Sequence, residues 1–224
     1  MGFSTAHTTL HRWFTKTDAT NLSVNHRVDF LVADGTGFKK DRDDSGSNRG
    51  EIRIMIGYGK NGEVIPFGAW TRANWKDIGR YVKSENHPSD KIKFKPIAGA
   101  LITDGEEELV RCLKKLATSH QRCLFHMTHE LTPLLRYKDI VSKDEAIKIS
   151  DELNELLYLD LPEVDADPIK SMEDKLKIEI KLKDMKKGID DFITELKMMG
   201  YKKAKTFVEN AKAQLFTYIE NWNS

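Results

Sequence analysis

Two aspartates sit where metal chemistry could be built. Asp34 follows the apolar run VDFLVA at 28–33 and precedes Gly35-Thr36-Gly37. Asp104 follows IAGALIT at 97–103 and precedes Gly105. Short apolar runs bounded by turn residues read as buried strands. Each carboxylate is therefore expected at the C-terminal end of a strand. If those strands are neighbours in one sheet, two hard oxygen donors meet at one point, as Mg²⁺ or Mn²⁺ requires. A pair of such ions could clamp the attacking and leaving oxygens of a displacement at phosphorus. Taken singly, each Asp-Gly is also an ordinary turn, since Asp bonds its own backbone and Gly accepts positive φ.

A second constellation is Cys123-x-x-His126, with His129 three residues further on. As a zinc site it lacks a second Cys/His pair at finger-like spacing. It fits a small buried thiol in a strand followed by a helix-capping histidine. His129 reads as a surface residue. The chain holds two cysteines, Cys112 and Cys123. That is too few for a disulfide framework and predicts reduced thiols in an intracellular protein.

The elements that must position these groups follow from periodicity. Strands are expected at 28–33, 51–58, 64–71, 97–103 and 122–125, and helices at 74–83, 106–117 and 127–137. In EIRIMIGY the isoleucines 52, 54 and 56 share one face. Asn61-Gly62 is a hairpin signal, and Pro66 predicts an edge or irregular strand because it cannot donate to the ladder. Three strands followed by strand–helix alternation give an α/β mixed sheet with helices on its faces. From 142 to 222 the pattern is helical, with breaks. Ser142-x-x-Glu145 fits a capping box, Asp167-Pro168 a helix start and Gly200 a helix stop. Met172, Leu176, Ile180, Ile189, Phe192, Ile193 and Leu196 form one apolar pattern. A last stripe runs from Ala204 through Phe207, Val208, Ala211, Leu215 and Ile219 to Trp222, so three or four packed helices are expected.

Composition sets outer limits. The 224 residues are 39% hydrophobic and 32% charged, with a net charge of +1. A real core is possible, and no global basic charge advertises nucleic acid, so phosphate contacts would need local Lys and Arg clusters. No apolar run approaches the ~18 residues of a membrane span. The N-terminus lacks the basic-then-apolar signal-peptide pattern, and Ala6 does not fit a myristoylation motif.

The segments VADGTGFK, EIRIMIGYGKNGEVIPFGAW, LITDGEEELVRCL and HQRCLFH, spread over residues 27–137, resemble the Mutator-like and related bacterial and archaeal insertion-sequence transposases. The resemblance implies a ribonuclease H-like core with an Asp-Asp-Glu metal site that binds Mg²⁺ or Mn²⁺. It maps the first Asp onto Asp34 and the second, within T-D-G, onto Asp104. Its Q-R-C-x-x-H element falls at Gln121–His126 and places His126 beside the active site. The implied partners are mobile-element ends and target DNA, with a homo-oligomer at work in the cytoplasm near the nucleoid. The implied domains are a helix-turn-helix remnant at 1–20, the catalytic core at 26–140 and a helical insertion at 141–224. Residues 4–14 resemble a recognition helix; Thr8, His11 and Arg12 would face DNA, though a packing helix unrelated to DNA reads as well. The departure from the family is the third carboxylate. Glu209 and Glu220 are the only late acids on the final helix, and neither has the expected surroundings. Glu220 is the weaker-fitting ligand candidate, and a catalytic Glu outside this chain fits better. Two alternatives stand beside a working transposase core: a non-catalytic DNA-binding or oligomerising remnant, and a ribonuclease H-like nuclease with another acid completing its site.

Overall fold

The computed structural model describes residues 27–39, 49–59, 63–70, 73–86, 96–137, 141–162 and 168–221. The candidate recognition helix with Thr8, His11 and Arg12, the linker at 18–25, Asn61-Gly62, Asp167 and Trp222 lie outside the described residues. The chain divides into two compact units, Met1–Ser119 and His120–Ser224.

The first unit is built on a mixed sheet of five strands in the order β3-β2-β1-β4-β5. These are β1 (Val28–Lys39), β2 (Arg49–Tyr58), β3 (Val64–Trp70), β4 (Ala98–Thr103) and β5 (Ala117–Arg122), the last crossing into the second unit. β1, β2 and β3 form an antiparallel meander. β4 returns parallel to β1, pairing Val28 with Ala98 through to Ala33 with Thr103. A parallel neighbour needs a crossover connection; here it contains α1 (Trp75–Asn86). α2 (Glu107–Leu113) and a 3-10 turn at Lys114–Leu116 lead on to β5.

Side chains alternate across a strand, and that period decides which residues reach the core. Leu31, Ala33, Met55 and Leu101 are buried together with Trp75, Ile78 and Val82 of α1 and Leu109 and Leu113 of α2. The isoleucines at 52, 54 and 56 lie on the other side and are only half-buried. Gly99 sits where the chains pass closest: a Cβ there would come within 2.9 Å of the Asp29 carbonyl oxygen. β3 is an edge strand with a register shift beside Pro66, as its missing N–H predicts.

Three expectations change. β1 does not end at Asp34 but runs on to Lys39, because 34–39 keep pairing with β2 from Ile54 to Arg49. The fifth strand is Ala117–Arg122, not 122–125. The helix expected over 106–117 stops at Leu113, so Ala117 starts the strand.

The second unit is helical: α3 (Leu124–Leu135), α4 (Lys143–Leu157), α5 (Pro168–Met198), α6 (Lys202–Ala211), a 3-10 turn at Lys212–Gln214 and the short α7 (Thr217–Glu220). Met127, Leu131 and Leu135 of α3 bury in one cluster with Ile149 and Leu153 of α4, Ile189 and Phe192 of α5, and Val208 of α6. Ser142 caps α4, its side chain accepting the Glu145 N–H at 3.2 Å. Gly200 takes φ 81° and ends α5, with the Tyr201 N–H donating to the Leu196 carbonyl at 2.9 Å, a Schellman closure.

The apolar pattern of α5 is only half used. Ile178, Ile189, Phe192, Ile193 and Leu196 are buried, whereas Met172, Leu176 and Ile180 are 76%, 60% and 56% exposed. The 31 residues of α5 span roughly 46 Å and the 15 of α4 roughly 22 Å. The N-terminal part of α5 outruns the helix it packs on. The final stripe is likewise broken by the 3-10 turn, yet Ala204, Val208, Ala211, Leu215 and Ile219 are all buried.

Candidate active site

The two aspartates come together in the sheet unit. Ala33 pairs with Thr103 in the parallel register of β1 and β4, so Asp34 and Asp104 each stand one residue beyond that pair. Neighbouring strands lie roughly 4.8 Å apart. Position 34 shares the face of Val32, and Asp104 opens the turn that follows β4. Both residues are half-buried, and the Asp34 Oδ1 atom is fully enclosed.

The turn after β4 explains why Thr-Asp-Gly is written there. The buried Thr103 hydroxyl accepts the Gly105 N–H at 3.0 Å. Asp104 Oδ1 accepts the Glu106 N–H at 2.8 Å, closing a turn just before α2. Gly105 takes φ 83°, a left-handed conformation that costs glycine nothing. One Asp104 oxygen is thus fixed by the turn, while Oδ2 has no hydrogen bond or ion pair among the described residues. The turn function of Asp104 and a metal-binding function use different oxygens.

A supporting network was not read from the sequence. Trp75 is fully buried, and its Nε1–H donates to Glu106 Oε2 at 2.9 Å. This ties the start of α1 to the turn that carries Asp104. Arg53, one pair along from Asp34 in the β1–β2 register, sets its guanidinium 5.7 Å from the Trp75 ring centre. Its Nη1 donates to the Ala73 carbonyl at 2.9 Å. The available signal was Trp75 itself, since a buried indole N–H demands an acceptor. The register that brings Glu106 to it is not written in local sequence.

The Gln-Arg-Cys-x-x-His element lies in the helical unit and has its own structural account. Buried Gln121 donates to the Leu215 carbonyl at 3.0 Å and accepts the Tyr218 N–H at 3.0 Å. Arg122 is buried over the Phe207 ring at 5.6 Å and lies 3.6 Å from Glu130. Cys123 occupies the N-cap position of α3, and His126 stands in its first turn. Burial raises the Cys123 thiol, but its hydrogen bond with His126 and the helix N–H groups of His126 and Phe125 outweigh that and leave it lowered. His129 stacks on Phe125, ring centres 5.7 Å apart.

The remaining acids are engaged elsewhere. Glu220 of α7 pairs with Lys186 at 2.7 Å, and Glu209 pairs with Lys205. Among the described residues, no group of three or more His, Cys, Asp or Glu side chains is arranged to hold a metal ion. No helix among the described residues is long and apolar enough to cross a membrane. Comparison with protein-family models and with curated proteins finds no match.

Proposed function

We propose that the sheet unit is the metal-dependent core of a DNA transposase of the Asp-Asp-Glu type, with a ribonuclease H-like sheet and a third carboxylate still to be supplied. The carrying observation is the parallel β1–β4 register, which sets Asp34 beside Asp104 although 69 residues of chain separate them. Two carboxylates at that spacing repel unless a cation stands between them, and hard oxygen donors suit Mg²⁺ or Mn²⁺. When bound, such ions supply charge neutralisation and activation of the attacking oxygen in phosphoryl transfer. The protein's share is positional. Thr103 and the Glu106 N–H hold Asp104 on its turn, and Trp75 holds Glu106. The pleat sets Asp34 on the face of Val32.

A non-catalytic remnant is the second reading, and one observation favours it: Glu220 and Glu209 are both committed to lysines. The test is Mn²⁺-dependent nicking of supercoiled plasmid, with Asp34→Ala as the control. Nicking by the parent that disappears in the variant supports the catalytic reading. Nicking that survives in Asp34→Ala removes the aspartate pair from the chemistry. DNA binding without any nicking favours the remnant.

A further inference from the structure

The N-terminal half of α5 is apolar on two faces, and the helical core uses one of them. Ile178 is buried with Ile189, Phe192 and Leu196 against the neighbouring helices. Met172, Leu176 and Ile180 stand four residues apart, so they line up on the opposite side of the helix from Ile178, and all three are exposed. A single exposed apolar side chain is ordinary. An unbroken line of them with a charged border is the mark of an interaction surface.

The borders of the stripe are charged in a self-matching order. Lys175 and Glu179 flank it on one side, Glu173 and Lys177 on the other, and all four are exposed. Each border thus carries one acid and one base. A second α5 laid antiparallel across the stripe, centred on Leu176, sets base against acid on both borders. Lys175 meets Glu179 of the second copy, and Glu173 meets Lys177 of the second copy. Met172 then packs on Ile180 of the second copy, and Leu176 on its own counterpart. Among the described residues Glu173, Lys175 and Glu179 have no ion pair. Lys177 bonds Asp174 at 3.3 Å and keeps two further N–H donors on its ammonium. The direction of pairing has a second support. Most of the buried face of α5, from Ile189 to Leu196, lies in its C-terminal half, so antiparallel crossing sends the two helical cores to opposite ends of the pair.

We propose that the N-terminal half of α5 is a self-association surface, covered by the same half-helix of a second copy of this chain in antiparallel register about Leu176. This surface lies outside the metal-dependent reading and uses neither aspartate, so nicking assays do not bear on it.

The experiment is sedimentation velocity of the full chain at loading concentrations from about 5 to 500 µM, the range in which a small interface dissociates. The parent is expected to move from monomer towards dimer as concentration rises. Leu176→Glu sets two carboxylates face to face at the centre of the pair and should weaken association at least about tenfold. Leu176 is exposed in the single chain, so this variant should melt where the dilute parent does, which separates lost association from lost folding. Lys175→Glu should weaken association by about three- to tenfold, since the two-fold repeats each border pair. Adding Glu179→Lys to Lys175→Glu restores opposite charges and should recover the parent's affinity. Direction is read by disulfide formation: Met172→Cys and Ile180→Cys, mixed and mildly oxidised, should link to one another and not each to itself. A parent that stays monomeric throughout, association untouched by Leu176→Glu, no recovery in the charge swap, or Met172→Cys linking to itself would each overturn the proposal. So would a Leu176→Glu chain that melts lower when dilute, which would assign the cover of the stripe to another segment of the same chain.

Discussion

The two units store chemistry differently. In the sheet unit the notable residues are brought together by register: Asp34 and Asp104 are distant in sequence and adjacent because β1 and β4 run parallel. In the helical unit they are brought together by short-range periodicity, as Met172, Leu176 and Ile180 share one face of α5. The sheet unit sets Asp34 and Asp104 at neighbouring positions of β1 and β4, and a turn bond and an indole hold the segment that carries Asp104. The helical unit spreads acids and bases along exposed faces and pairs many of them at the surface, where a pair contributes about 0–1 kcal/mol. Small shifts of register should therefore abolish chemistry in the first unit, while single charges in the second should change affinity by degrees.

The largest effect expected from that contrast is at Asp104. Asp104→Ala should reduce metal-dependent nicking to background, a fall of more than about a hundredfold for a lost metal ligand. The same change removes the turn hydrogen bond to the Glu106 N–H and should cost about 1 kcal/mol of stability. Asp34→Ala should match the loss of nicking. Nicking retained by either variant would remove the aspartate pair from the chemistry.

Next in size is a cavity placed in one core only. Leu153 is fully buried in the helical cluster, and Leu153→Ala should cost about 2–5 kcal/mol. Hydrogen exchange read peptide by peptide should show faster exchange in α4 and α6 and little change in β1 and β4. Equal acceleration everywhere would mean that the units unfold as one, and the comparison between them would lose its thermodynamic content.

How far these features could be read in advance follows the same division. The strand runs, the caps and the helix stop were legible because local chemistry carries them: Ser142 accepts the Glu145 N–H, and Gly200 takes the left-handed turn. The Asp34–Asp104 meeting was legible only as a condition, since nothing local states which strands are neighbours. The continuation of β1 past Asp34 was missed because Gly35-Thr36-Gly37 reads as a turn, and pairing with β2 overrides it. The strand placed at 122–125 was misplaced by its apolar letters; ATSHQR is polar, yet it forms β5 because the sheet supplies its neighbour. Met172, Leu176 and Ile180 share the apolar spacing of α5, yet they are exposed. Periodicity reports a shared face, not whether another helix reaches it. Trp75 and Glu106 were each seen separately, and only the tertiary fold joins them.

A smaller effect tests whether the helical unit's end signals act locally. Gly200→Ala places a Cβ on a residue at φ 81° with nothing within 4 Å of it. The cost is then conformational only, about 1 kcal/mol. It should appear as faster exchange at the end of α5 and the start of α6, with nicking unchanged. A loss well above that figure would mean that the turn carries packing beyond its own backbone.

The smallest effect sits at the seam of the two descriptions, on β5. The His120 carbonyl accepts the Thr217 hydroxyl at 2.8 Å, and its imidazole is held below the usual value of 6.5 by burial first and then by the charge of Arg122. A group whose folded pKa is depressed takes up its proton more readily in the unfolded chain. Its contribution is complete above 6.5, and stability falls as pH drops from there through the lower folded value. Denaturant midpoints should therefore decline gently between pH 7 and pH 5, before most carboxylates protonate. His120→Gln should flatten that decline, because glutamine does not titrate. Lys143→Gln, remote from any histidine contact in the structure, should leave it as steep as in the parent. An equally steep decline in His120→Gln would assign the acid sensitivity to another group.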